Sequence, residues 1–169
     1  QVEVFLDDTP GETRGIIARD GRFERLIVHR DDDKLRHRLG ACSVGRVASI
    51  EPGLGAAFVD LGLSAPFGFL PLGQQRLTEG RRLTVEVAAE PREAKGPTLK
   101  VIGEGEGEPR LIQPGPDVPA ILAALAPGEP VQTGVSAIQA TWDSEEEALA
   151  AGDLFPEWGL DLAVQRTRA

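Results

Sequence analysis

The chain has 169 residues, 41% of them hydrophobic and 27% charged, an ordinary globular composition with enough length for one domain or two small ones. No apolar run approaches the roughly 20 residues that span a bilayer, and the opening QVEVFLDDTPGE lacks the basic-then-apolar order of a secretory signal. The net charge of −9 is unevenly spread: nine basic and nine acidic side chains in residues 1–50, six and six in 51–103, three and twelve in 104–169. An acidic chain argues against nucleic acid as a partner, but here that argument reaches only the last third.

The lone Cys42 excludes an intrachain disulfide and a multi-cysteine zinc site, and points to a reducing, cytoplasmic setting. It reads as a small buried residue rather than a nucleophile. His29 and His37 have no acid or nucleophile paired to them by spacing and read as surface histidines. The sequence contains no methionine, so Gln1 is expected not to be the first translated residue, and the chain reads as a piece of a longer protein.

In chain order, residues 2–7 alternate apolar and polar side chains as a half-buried strand does. Residues 13–19 and 22–29 repeat the pattern around Asp20-Gly21, a hairpin signal, so the first 30 residues predict an antiparallel meander. Residues 30–41 form a charged connector. Strands follow at 43–50, 55–61, 67–72, 83–89 and 98–102, each broken by Gly or Pro. Five short strands in about 60 residues predict a small Greek-key barrel of the OB type. GEGEGEP (103–109) reads as a linker, since its glutamates would repel a phosphate. Residues 117–125 predict a short helix capped by Asp117, and 130–140 a strand. A second helix is predicted to begin near Asp143, with Glu145–Glu147 in its first turn. Residues 153–160 read as a loop anchored by aromatics.

The barrel segment VGRVASIEPGLGAAFVDLGLSAPFGFLPL (44–72) resembles the S1-type RNA-binding domain of the ribonuclease E/G family, with Glu51-Pro52, the AAFVD run 56–60 and the GFLPL run 68–72 as its marks. ETRGIIARDGRFERLIVHR (12–30) is similar to the hairpin that opens the family's RNase H-like subdomain, and LAVQRTRA (162–169) resembles the strand where that subdomain resumes. The resemblance implies a mainly β chain with an α/β remainder. Residues 1–42 would be a hairpin or meander of the RNase H-like part, 43–103 a five-stranded OB-fold barrel inserted in it, and 104–169 its acidic, helix-containing remainder.

The same resemblance implies a pocket for RNA made by Phe58, Phe69 and Lys95, the last in a K-G loop. From the residues alone, a phenylalanine in an apolar run of a small barrel belongs either to the core or to a base-stacking face. Phe67 lies two residues from Phe69 and shares its face on a regular strand. Arg46, Arg76, Arg81, Arg82, Arg92 and Lys100 are candidates to line the same groove, with Arg46 and Arg92 the nearest additions to the site.

The family consists of metal-dependent endoribonucleases, whose carboxylates hold a divalent cation, Mg²⁺, in a later domain. Residues 1–169 contain no matching Asp pair, and the family's zinc-binding Cys pair is also missing. The expected function is therefore the RNA-binding portion of a ribonuclease E/G-like enzyme. It would bind single-stranded RNA and guide it to a catalytic domain outside this chain, with no catalytic residue, metal site or cofactor of its own. A free-standing S1-type module is the alternative, and a protein-interaction module a third. The family's 5′-end sensor would fall in 104–159, where Arg110 is the lone cation, and is expected to be shortened or lost. Oligomeric state is left open.

Overall fold

The computed structural model describes residues 1–91 and 95–151. In chain order the strands are β1 (Val2–Thr9), β2 (Glu12–Arg19), β3 (Arg22–Arg30), β4 (Cys42–Glu51), β5 (Ala56–Asp60), β6 (Gly68–Pro71), β7 (Arg82–Ala89), β8 (Thr98–Glu104), β9 (Arg110–Gln113) and β10 (Val131–Gln132). Helix α1 (Val118–Leu125) lies between β9 and β10, and α2 (Val135–Ala151) follows β10. Single 3₁₀ turns occupy Leu35–His37 and Pro52–Leu54.

The chain divides into two compact units. One combines residues 1–33 with the segment from Pro116, and the other is Lys34–Gly115, which interrupts the first in sequence. The breaks fall outside the expected 42/43 and 103/104 because the flanking segments pair with the barrel. The Gly40 and Val87 amides donate to the Val87 and Ala41 carbonyls at 3.0 and 2.9 Å, and β9 pairs with Cys42–Val44 of β4.

In the first unit, β1, β2 and β3 form the expected meander. Asp20 and Gly21 both take positive φ (52° and 78°), the type I′ geometry that matches strand twist. Strand β10 lies parallel to the other edge of β1, giving the order β10-β1-β2-β3. Alternation along the strands supplies two apolar faces. Phe5, Ile16, Leu26 and Val28 pack with Ala137 and Ala140 of α2, while Val4, Ile17 and Ile27 pack with Val118, Ile121 and Leu122 of α1. Helix α1 starts as expected: the Asp117 carboxylate accepts from the Ala120 amide at 2.9 Å, with Pro119 in the first turn. Glu12 bridges β2 and β3 by accepting from Arg14 (2.7 Å) and Arg30 (2.8 Å).

Two expectations change here. The second helix begins at Val135, right after Gly134 (φ +80°), so Glu145–Glu147 lie inside it rather than in its first turn. The dipole argument for that acidic run therefore does not apply. The strand expected across 130–140 is only the two residues of β10. The expected loop at 153–160 and the strand-like 162–169 lie outside the described residues.

The second unit is a closed five-stranded barrel of OB-like form. The C-terminal half of β4 pairs with β5 and its N-terminal half with β7, and the circuit closes through β5-β6-β8-β7. Val47, Ala57, Val59, Leu70, Leu83, Val85, Val87 and Leu99 fill the interior. Gly68 is a packing requirement: a Cβ there would run into the Leu99 side chain across β8. The expected linker 103–109 begins later, because Gly103 and Glu104 still belong to β8 and pair with Thr84 and Leu83.

Candidate nucleic-acid interface

The barrel's β5 reads AAFVD, and alternation decides which residues turn inward. Ala57 and Val59 are fully buried in the core, so Phe58 between them faces out. In β6, Leu70 is buried and Phe69 faces out by the same rule. Phe58 and Phe69 are direct cross-strand partners in the antiparallel β5–β6 pair. Their rings meet edge to face, with centroids 6.1 Å apart and planes at 73°. Neither ring belongs to the core cluster; both are half-buried.

These two rings floor a pocket of about 650 Å³. Phe67 and Pro66, from the segment entering β6, form one wall. Leu54, which ends the Pro52–Leu54 turn and is 63% exposed, forms another. Lys95, Gly96 and Thr98 complete the rim.

The backbone explains why Lys95 comes here. Strands β6 and β8 run parallel with Phe69 opposite Thr98, and the Phe69 amide donates to the Pro97 carbonyl at 2.8 Å. The segment 95–97 is thereby drawn along Phe67–Phe69. At Gly96 the approach is so close that a Cβ would overlap the Phe67 carbonyl. The glycine after the lysine is thus a steric requirement for laying that loop against the aromatic wall. Lys95 is exposed and makes no ion pair among the described residues.

The structure therefore gathers Phe58, Phe67, Phe69 and Lys95 around one pocket. It does not gather the other cations there. Arg46 projects from β4 on the outer face beside Asp60, its cross-strand partner, with their charges 3.5 Å apart. It lies two residues along from Phe58 but does not line the pocket. Lys100 pairs with Glu86 (3.0 Å) and Arg82 with Glu108 (3.8 Å). Arg76 and Arg81 line a different depression, and Arg81 holds Glu104 at 2.6 Å. Arg92 lies outside the described residues. Leu54, Pro66 and Thr98 are pocket residues that the sequence reading missed. Leu54 carried a faint signal, an apolar side chain beside the Pro52-Gly53 turn.

Burial pushes the Cys42 thiol up from its ordinary 9.0, and the Glu86 carboxylate pushes the same way, against Lys100. A protonated thiol is no nucleophile at neutral pH. His29 and His37 are not at the surface as expected: both are buried, at 6% and 8% exposure. Burial, then the charge of Lys34, hold the His37 imidazole below its ordinary 6.5 and so keep it neutral.

Among the described residues no group of three or more His, Cys, Asp or Glu side chains could hold a metal ion. What the pocket offers is non-covalent: flat apolar rings for a planar group, and an exposed ammonium for an anion beside it. No helix among the described residues is long and apolar enough to cross a membrane. No family model and no curated protein sequence matches this chain.

Proposed function

We propose that this chain is the RNA-binding portion of a ribonuclease E/G-like endoribonuclease, and that its barrel is an S1-type domain. One observation carries the reading: Phe58 and Phe69, which alternation turns away from the core, and Phe67 beside them meet around one open pocket a lysine that makes no ion pair among the described residues. A soluble barrel gains nothing in stability by presenting such a patch to water, so the patch is best explained by a ligand. Bases stack on aromatic faces at about 1–3 kcal/mol each, and a nearby cation takes the phosphate. Single-stranded RNA supplies both, with its bases unpaired and reachable.

The order β3-β2-β1-β10, with a helix leading into a strand parallel to β1, supports reading the first unit as RNase H-like. Cleavage is assigned to a metal-dependent domain outside this chain, and a reducing, cytoplasmic setting fits the lone protonated Cys42.

The test is a titration of labelled RNA with the purified chain, in single-stranded and in duplex form, at several salt concentrations. The expected result is preferential, salt-weakened binding of the single strand, with the strand intact after incubation with Mg²⁺. Equal or absent binding of both forms at low salt overturns the assignment and favours a protein-interaction role.

A further inference from the structure

The barrel carries a second depression, of about 380 Å³, at the far end of β8. It lies where β6 hands over to the loop that starts β7, and Gln75, Arg76, Arg81, Gly103 and Glu104 line it over Leu77 and Leu83. Arg76 is exposed and makes no ion pair among the described residues. Arg81 is tethered to Glu104 at 2.6 Å, but both side chains are open to water, at 40% and 74% exposure, so the tether is weak. Two guanidiniums against one carboxylate leave a net positive, hydrogen-bonding patch that contains no aromatic ring, unlike the first pocket. The two pockets share β8: Thr98 lines one, and Gly103 and Glu104 line the other. Five to six strand residues separate them, about 17–20 Å at the rise of an extended chain.

We infer that Arg76 and Arg81 form a phosphate subsite for a distal part of the same RNA strand that enters the aromatic pocket. This inference rests on the RNA-binding reading and adds a length requirement to it. The aromatic pocket holds a base by its face. The arginine patch has nothing to stack on and takes the backbone, by the forked guanidinium geometry that suits phosphate oxygens. An oligonucleotide too short to bridge the separation fills only the aromatic pocket. A longer one engages both, and its phosphate competes with Glu104 for Arg81.

The test compares a trinucleotide with a decamer of uridine, binding to the full chain over a salt series, for the wild type, Arg76→Ala, Arg81→Ala, the double variant and Glu104→Gln. For the decamer, each arginine removed should lower the slope of log affinity against log salt by about 0.7, and the double variant by about 1.4. Glu104→Gln should tighten decamer binding at low salt. The trinucleotide should respond to none of these changes. If the decamer slope is unchanged in the double variant while Phe58→Ala still weakens binding, the second subsite is wrong and the RNA-binding reading stands. If the trinucleotide and decamer respond alike to the arginine variants, the two pockets are not separate subsites and the inference falls. If neither oligonucleotide binds the wild type, the underlying reading falls with it. The arginine and Glu104 variants are at exposed side chains and Phe58 is half-buried, and a cooperative melting transition confirms that each variant is folded.

Discussion

The two units use phenylalanine in opposite ways. In the open sheet, Phe5 points to a face that α2 covers, and it is 7% exposed against Ala137 and Ala140. In the barrel, Phe58 and Phe69 point to the outer surface and line an open pocket instead of joining the core. Both placements follow from the same alternation of side chains along a strand. What lies across the strand, and not the residue type, decides whether a ring holds the fold together or is left open to a ligand. An uncovered aromatic face on an otherwise filled barrel is where recognition is to be sought.

The sharpest way to break this comparison is to delete one ring from each unit. Phe5→Ala should cost about 3–5 kcal/mol of stability, because it leaves a cavity beneath α2. Phe58→Ala should cost less, about 1–3 kcal/mol, the edge-to-face contact together with part of the burial of a half-buried ring. Denaturant unfolding measures both. Equal losses would mean that Phe58 is a core residue.

Next in size is the effect on RNA. Phe58→Ala or Phe69→Ala should weaken single-stranded RNA binding by about 1–3 kcal/mol, whereas a variant at an exposed position of the open sheet, such as Thr9→Ala, should not. A third experiment probes the lysine loop. Gly96→Ala forces a Cβ onto the Phe67 carbonyl, so it should displace Lys95 and lower RNA affinity at least as far as Lys95→Ala does. Lys95→Arg should retain most of it. If Gly96→Ala binds as the wild type does, the close approach does not position the lysine.

The smallest effect belongs to the open sheet and is read by pH. Burial alone would raise the Glu12 pKa, but hydrogen bonds from Arg14 and Arg30, reinforced by their charges, outweigh it and hold the carboxyl below its ordinary 4.5. A carboxyl depressed in the folded state contributes stability that is fully present above pH 4.5 and is lost as pH falls below it through the folded value. Thermal unfolding should therefore show a stability decrease below about pH 4.5 that is shallower in Glu12→Gln. An identical pH dependence in that variant would remove Glu12 as a contributor.

Much of this arrangement was legible in the sequence. Asp20-Gly21 marked a hairpin that has the expected backbone, and the strands from 43 to 102 marked a barrel. The alternation in AAFVD also sets Phe58 opposite in sense to Ala57 and Val59, although only the closed barrel shows which side is the inside. Strand β9 escaped notice because RLIQ is four residues long and has no periodic signature; it exists by pairing with Cys42–Val44. The start of α2 was misjudged because the acidic run resembles a helix N-terminus. The contacts that begin the helix earlier are those of Ala137 and Ala140 with the sheet. The cations were the least legible. Six basic residues suggested one groove, but each pairing depends on strand register, which puts Arg46 opposite Asp60 and Lys100 opposite Glu86. Lys95 stands apart through the loop geometry that Gly96 permits.

The most direct measurement is a fluorescence anisotropy titration of a single-stranded RNA with the wild type and with Phe58→Ala, each first checked for an intact fold by its melting curve. The account requires salt-dependent binding by the wild type and an affinity about 5- to 150-fold weaker in the folded variant. Undiminished affinity in a folded Phe58→Ala chain would contradict it, because the aromatic pocket would then not be where the RNA binds.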